Sequence, residues 1–309
     1  MKILLTSTSF QDTPGLHMEK LQSMDFEVDM LRGPLTANQL LPIITNYDGI
    51  ICGDDEYNKE VLEKGKSGKL KVISKYGIGL DKINLKTAKK LGVKIFNTPG
   101  VNHQAVAEHA FALLLTYEKN IIRENEIVQK NEWKRLIGRE LYGKSVGILG
   151  LGNVGKEVAK RSNAFGMKTF GFDVKPDEEF NSKYEVSYYT SISSFIKKID
   201  YLFLALPLNV NTKNIIDKNE FNSFKKDIII INTARAGLIN EESLLDNLER
   251  KKLRAYLTDV LIDEPILNDH PLLKYKNVII TPHIGSRNYE TVERQGLKSV
   301  ENLFKVLNI

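Results

Sequence analysis

Three side chains in the last third of the chain could do chemistry together. Arg235, Glu264 and His283 each follow a short apolar run: 227–231, 254–258 and 277–281. An Arg guanidinium is the fork that clamps a carboxylate through two hydrogen bonds. A His can hold or release a proton near neutral pH. A Glu beside it orients the imidazole and stabilises its charged form. Taken singly, Arg235 reads as an ion-pair donor, Glu264 as a solvated loop acid and His283 as a loop histidine. Their common position after consecutive strands is what groups them, because ligands of open α/β sheets bind beyond the carboxyl ends of the strands.

A second pattern supplies the chemistry that such a group could serve. The apolar run 145–149 leads into Gly150-Leu151-Gly152-Asn153-Val154-Gly155, followed by the helix-like stretch 156–164. Gly-x-Gly-x-x-Gly alone is weak, but here a strand precedes it and a helix follows. Gly150 permits the tight turn, Gly152 lets the backbone approach a pyrophosphate, and Gly155 lets helix and strand pack closely. The pyrophosphate would sit at the positive helix N-terminus. Asp173 follows the next strand, about 20 residues on, where an acid binds ribose hydroxyls. A carboxylate there repels a 2′-phosphate, so NAD is expected rather than NADP. Beside a nicotinamide, an Arg, a Glu and a His are the parts of a dehydrogenase.

These residues need a frame of parallel strands. Runs 2–6, 27–31, 48–52, 71–74 and 93–96 read as five strands, each followed by a helical stretch. Runs 145–149, 168–172, 201–206, 227–231, 254–258 and 277–281 begin a second series. Such alternation implies parallel sheets with crossover helices. The runs lack polar alternation, as strands covered on both faces do. Between the two series, 102–120 reads as a long buried helix, with a polar helix following through Trp133. The stretch 290–307 reads as one last helix. The fold class expected is α/β, with two Rossmann-like parallel-sheet domains.

The 309 residues give a prior of two domains, each large enough to bury its own core. Hydrophobic residues are 42% and charged residues 27%, the balance of a globular protein rather than a disordered one. The net charge of +5 is small for this length and shows no basic face, so no nucleic acid is expected. The N-terminal apolar run is too short for a signal peptide, and no run reaches a membrane span. Cys52 is the single cysteine, which excludes an internal disulfide and a Cys-based zinc site. It ends an apolar run and reads as a small buried side chain. A cytoplasmic protein without a metal is expected.

From Gly49 to Ser286 the chain resembles the D-isomer-specific 2-hydroxy acid dehydrogenase family, in its phosphoglycerate-dehydrogenase-like branch. The resemblance rests on Tyr76-Gly77-Ile78-Gly79-Leu80-Asp81, Asn97-Thr98-Pro99-Gly100 and Val106-Ala107-Glu108-His109. It continues through the glycine turn, Leu206-Pro207, 232–237, 259–265 and 281–286. It implies a flavodoxin-like substrate domain of residues 1–100 and 285–309, and an NAD-binding Rossmann domain of 101–284. It also implies a homodimer through the NAD domain. On the cofactor it places Gly150, Gly152, Asn153, Val154, Gly155, Asp173, Leu206, Pro207, Thr212, Thr233, Ala234, Arg235, Asp259, His283, Gly285 and Ser286. On the substrate it places Tyr76, Gly77, Ile78 and Gly79, with the amides around Ile78 and Gly79 on the carboxylate, together with Arg235 and His283. Catalysis falls to Arg235, Glu264 and His283.

One departure bears on the substrate. After the third strand stands Gly53-Asp54-Asp55-Glu56-Tyr57-Asn58, where phosphoglycerate-using relatives place an Arg and a hydroxyl residue facing the substrate phosphate. Lys75 is the only nearby cation in a matching position. A 2-hydroxy acid without a phosphate is therefore expected, with D-3-phosphoglycerate dehydrogenase as the alternative. A non-catalytic NAD(H)-sensing, corepressor-like protein is a further alternative, and no appended segment supports it.

Overall fold

The computed structural model describes residues 1–307, and it divides into two units. The first comprises Met1–Asn102 and the chain from Arg287 onward; the second is His103–Ser286.

The first unit is built on β1 (Lys2–Leu5), β2 (Glu27–Met30), β3 (Gly49–Cys52), β4 (Val72–Lys75) and β5 (Lys94–Phe96). All neighbours are parallel, in the order β2-β1-β3-β4-β5, the flavodoxin-like order. Successive side chains point to opposite faces. Ile3, Leu5, Ile51 and Val72 join Val292, Val300 and Leu303 of the helix Tyr289–Leu307 in one core. Leu4, Ile50, Cys52 and Ile73 join Val61, Leu62 and Ala88 in the other. Both faces are covered, which is why the runs read as apolar without alternation. Burial pushes the Cys52 thiol far up, so it is inert packing.

The second unit carries β6 (Ser145–Leu149), β7 (Lys168–Phe172), β8 (Val186–Tyr189), β9 (Tyr201–Leu204), β10 (Ile228–Asn232), β11 (Leu253–Thr258) and β12 (Val278–Ile280). They form one parallel sheet in the order β12-β11-β10-β9-β6-β7-β8. The chain runs outward from β6 to β8 and then returns to build the other side from β9. The switch point lies between β6 and β9, where open α/β sheets bind ligands. The helices His103–Glu118 and Asn153–Ala164 cover one face, and Glu241–Glu249 covers the other.

The structure corrects several sequence-based boundaries. Strand β8 was not expected; it is an edge strand of four residues, Val186-Ser187-Tyr188-Tyr189, too short to show a period and with one buried side chain, Val186. The run 227–231 shifts to Ile228–Asn232 because Asp227 takes a left-handed φ of 68° that no strand residue adopts. The run 201–206 ends at Leu204, ahead of Pro207, which has no N–H to offer a neighbouring strand. Left-handed Asn120 ends the long helix, and left-handed Asn131 follows the next one, Ile121–Gln129, which stops short of Trp133. The final helix begins at Tyr289.

Candidate active site

Because every strand of the second sheet is parallel, every loop that follows a strand emerges at one edge. From β12 toward β7 these loops carry His283, then Asp259 to Glu264, then Thr233 to Arg235, then Leu206 to Thr212, then the glycine turn, then Asp173. Adjacent strands lie about 4.8 Å apart, so the loops stand side by side.

The three glycines meet three separate demands. Gly150 has φ 96°, and a Cβ there would lie 2.7 Å from the Ala205 carbonyl oxygen after β9. At Gly155 a Cβ would fall 1.8 Å from the Gly150 carbonyl oxygen, so any larger residue would push the helix off the turn. At Gly152 a Cβ would meet nothing within 4 Å, which leaves the backbone approachable from outside. The helix Asn153–Ala164 starts there with Gly152 as its N-cap, and no side chain caps it. Its first N–H groups are thus presented to whatever arrives. Asp173 closes the turn from the side: its carboxylate accepts from Leu151 N at 2.7 Å and from Lys175 N at 3.2 Å. An open, uncapped helix start with an acid beside it is a cradle that NAD fits.

The His283 loop is built by hydrogen bonds. Nδ1 of His283 lies 2.7 Å from Glu264 Oε2. The other oxygen of Glu264 accepts from Leu261 N at 2.8 Å, so its own loop holds it in place. His283 itself has φ 55°, a left-handed conformation costing a non-Gly residue about 1–2 kcal/mol. The residues around it hold it there. Asp259, 2% exposed, accepts from Thr281 Oγ1 at 2.6 Å, Ile284 N at 2.9 Å and Gly285 N at 2.7 Å. Burial alone would raise this carboxyl. Bonds from His109, Thr281 and Ile284 more than offset that, and it lies below the usual carboxylate range. Asp259, expected on the cofactor, thus spends both oxygens on the turn that carries His283.

Arg235 sits on a turn shaped by a buried amide. Asn232 Oδ1 accepts from Ala234 N at 3.1 Å, and its Nδ2 donates to the Arg235 carbonyl at 3.0 Å. The guanidinium donates to the Ala234 carbonyl at 2.8 Å. Thr212, also expected on the cofactor, donates to the Pro207 carbonyl at 2.6 Å and accepts from Asn209 N at 2.8 Å, closing the loop after β9.

In the first unit, the expected substrate loop follows β4. The Gly77 carbonyl accepts from Thr98 N at 2.9 Å, and the Ile78 carbonyl accepts from Asn97 Nδ2 at 2.9 Å. In a planar trans peptide the N–H points opposite the C=O. The N–H groups of Ile78 and Gly79 therefore face away from that anchor. Tyr76 is the exception among the expected substrate residues. Its ring packs against Phe10 in the core, so its phenol does not reach a ligand at the edge. Burial pushes that phenol far up. The acidic run is also accounted for. Asp54 pairs with Lys75 at 2.8 Å, Asp55 is buried on Thr6 and Leu35, and Glu56 accepts from Ala37 N at 3.1 Å.

Sequence reasoning missed Asn232, Thr281 and His109 as builders of the site. Each lay inside a stretch already singled out; Asn232 works locally on its own turn, whereas Thr281 meets Asp259 across 22 positions and His109 meets Thr281 across 172.

The sequence model of the "D-isomer specific 2-hydroxyacid dehydrogenase, NAD binding domain" matches residues 111–285. This chain belongs to that family, whose members are NAD-dependent oxidoreductases acting on a CH–OH group. Among its relatives is the hydroxypyruvate reductase of Thermotoga maritima, 36% identical over 92% of this chain and 92% of its own length. The D-3-phosphoglycerate dehydrogenase of Methanocaldococcus jannaschii is 36% identical over 96% of this chain, which spans only 56% of that protein. The crystal structure of the TT0316 protein from Thermus thermophilus superposes with a TM-score of 0.88 at 32% identity, covering 100% of this chain and 97% of that one.

Proposed function

We propose that this chain interconverts a 2-keto acid and the corresponding D-2-hydroxy acid, with Arg235, Glu264 and His283 as its catalytic residues. The observation that carries this is the 2.7 Å pair of His283 Nδ1 and Glu264 Oε2, on the strand edge that also bears the glycine turn. Bound NAD(H) supplies or accepts the hydride. Gly150, Gly152, Asn153, Val154 and Gly155 hold its pyrophosphate, and Asp173 holds its ribose. Leu206, Pro207, Thr233, Ala234, Gly285 and Ser286 line the rest of the edge. Arg235 clamps the substrate carboxylate and polarises the C2 oxygen. In the first unit, the outward-facing amides of Ile78 and Gly79 are donors suited to a carboxylate. With Nδ1–H given to Glu264, His283 Nε2 is the atom that delivers a proton to the C2 oxygen on reduction and takes it back on oxidation.

The substrate we infer lacks a phosphate. The one cation at the expected place, Lys75, donates to the Gly53 carbonyl at 2.7 Å and to Asp54 at 2.8 Å. A phosphate arriving there would meet a neutralised ammonium and the Asp54 carboxylate. Steady-state NADH consumption on a panel of 2-keto acids tests this. Turnover of glyoxylate or hydroxypyruvate is expected. Efficient turnover of 3-phosphohydroxypyruvate alone would overturn the substrate assignment, and no turnover at all would favour an NAD(H) sensor.

A homodimer through the NAD domain is the quaternary reading. Ile121, Ile122, Val128, Trp133, Ile137 and Tyr142 are exposed within 22 residues, with Trp133 at 83% and Ile137 at 97%. Large apolar side chains exposed at this density along the chain are the kind of surface that an interaction covers. Light scattering at the working concentration should give twice the chain mass. No helix among the described residues is long and apolar enough to cross a membrane, and the reading remains a cytoplasmic enzyme.

A further inference from the structure

Helix His103–Glu118 brings a second histidine to the turn that carries His283. His109 Nε2 lies 2.9 Å from Thr281 Oγ1 and 3.4 Å from Asp259 Oδ1. The direction of each hydrogen bond follows from the chemistry. An ionised carboxylate only accepts, so at 2.6 Å the Thr281 hydroxyl must give its single proton to Asp259. That hydroxyl can then only accept from His109, so Nε2 of His109 carries a proton and donates it. A directed chain results, from His109 to Thr281 to Asp259. Two more donors reach the same carboxylate, the backbone N–H groups of Ile284 and Gly285 on the far side of His283. The packing is close: a Cβ on Gly285 would lie 3.0 Å from Asp259 Oδ2 and 3.7 Å from the His109 ring.

The turn therefore has fixed points on both sides of a residue in a strained backbone conformation. Thr281 and Gly285 flank His283, and both are tied to Asp259. Asp259 is almost fully buried and needs donors to remain charged there. His109 donates to Thr281, which in turn donates to Asp259, and it comes from the helix, so it ties the turn to that helix. We propose that His109 is a positioning residue for His283, acting through Thr281 and Asp259 to hold the imidazole in register with Glu264. The inference rests on the proposed proton-transfer role of His283.

The test compares wild type with His109→Leu, His109→Gln, Thr281→Val and His283→Ala, all with NADH and whichever of hydroxypyruvate and glyoxylate the wild type reduces faster. In His109→Leu, kcat should fall roughly 10- to 100-fold, the effect of a misplacement on the order of 1 Å. The Kd for NADH, read by fluorescence, should stay within about twofold, because the glycine turn is untouched. His109→Gln keeps an N–H that reaches Thr281 and should recover kcat to within about threefold of wild type. Thr281→Val removes the hydroxyl from the chain and should match His109→Leu; it decides the matter if His109→Leu does not fold. A kcat within twofold of wild type in either variant, or no recovery in His109→Gln, overturns the inference. Retained turnover in His283→Ala would instead bring down the reading on which it rests.

Discussion

Two buried aspartates, one in each unit, lie beyond the carboxyl end of a parallel strand. Asp55 follows β3 and is 1% exposed; Asp259 follows β11 and is 2% exposed. Burial raises both, but the outcomes are opposite. At Asp55 burial prevails over the bonds from Thr6 and Leu35, and the carboxyl stands above its usual value. At Asp259 the donors prevail, and the carboxyl stands below it. The difference lies in what each holds. Asp55 latches the loops after β1 and β2 to the loop after β3. Asp259 is surrounded by N–H and O–H groups of the turn that presents His283. Carboxylates at the first edge are spent on the fold, whereas those at the second edge (Asp173, Asp259, Glu264) hold the glycine turn, the His283 turn and the His283 imidazole, the groups we propose for the ligand.

If that contrast is right, substitutions at the second edge act on turnover and those at the first act on selectivity and stability. The largest effect belongs to His283→Ala, where kcat should drop roughly 10²- to 10⁴-fold while NADH still binds. Equal loss of NADH affinity would move His283 from proton transfer to cofactor binding. Next is Asp259→Asn, which replaces one acceptor oxygen by a donor that cannot face these N–H groups. A loss in kcat of roughly 100-fold is expected, with NADH affinity largely kept. Undiminished turnover would detach the turn from Asp259.

Asp54→Asn at the first edge should leave turnover of the preferred 2-keto acid near the wild-type value. It should also raise the relative kcat/KM for 3-phosphohydroxypyruvate about tenfold, the order of one unscreened charge at this range. An unchanged ratio would show that Lys75 and Asp54 do not face the substrate.

The smallest effects are in stability, and they carry opposite signs. A carboxyl raised on folding favours the fold below its unfolded pKa of about 3.9 and loses that contribution as pH rises through the folded value. A carboxyl lowered on folding does the reverse, contributing fully above about 3.9 and losing it as pH falls below. Wild type should therefore gain on Asp55→Asn as pH drops toward 4, and lose its advantage over Asp259→Asn below that. Thermal melts across pH 3 to 7 would separate the two, and slopes of one sign would dissolve the contrast.

How far the sequence disclosed this arrangement follows from the range of each interaction. The glycine turn was legible because its demands are local: φ at Gly150, and packing within six residues at Gly155. Arg235, Glu264 and His283 were legible because parallel strands send every following loop to one edge. Strand β8 was not, since one buried Val in a short edge strand leaves no period to detect. The buried ring of Tyr76 and the commitments of Asp54 and Asp55 depend on partners in other elements, and composition near a motif does not show which way a side chain turns. His109 was visible only as part of a motif; its work appears once helix and turn meet.

The central proposal is direct hydride transfer to C2 with a proton delivered by His283. NADH deuterated at C4, on each face in parallel, answers this when incubated with the fastest-reduced 2-keto acid whose product has a stereocentre at C2, which excludes glyoxylate. Deuterium from one face only, recovered at C2 of the D-hydroxy acid, with product formation reduced by orders of magnitude in His283→Ala, is the predicted result. Product without deuterium at C2 from either face, or product of L configuration, would contradict it.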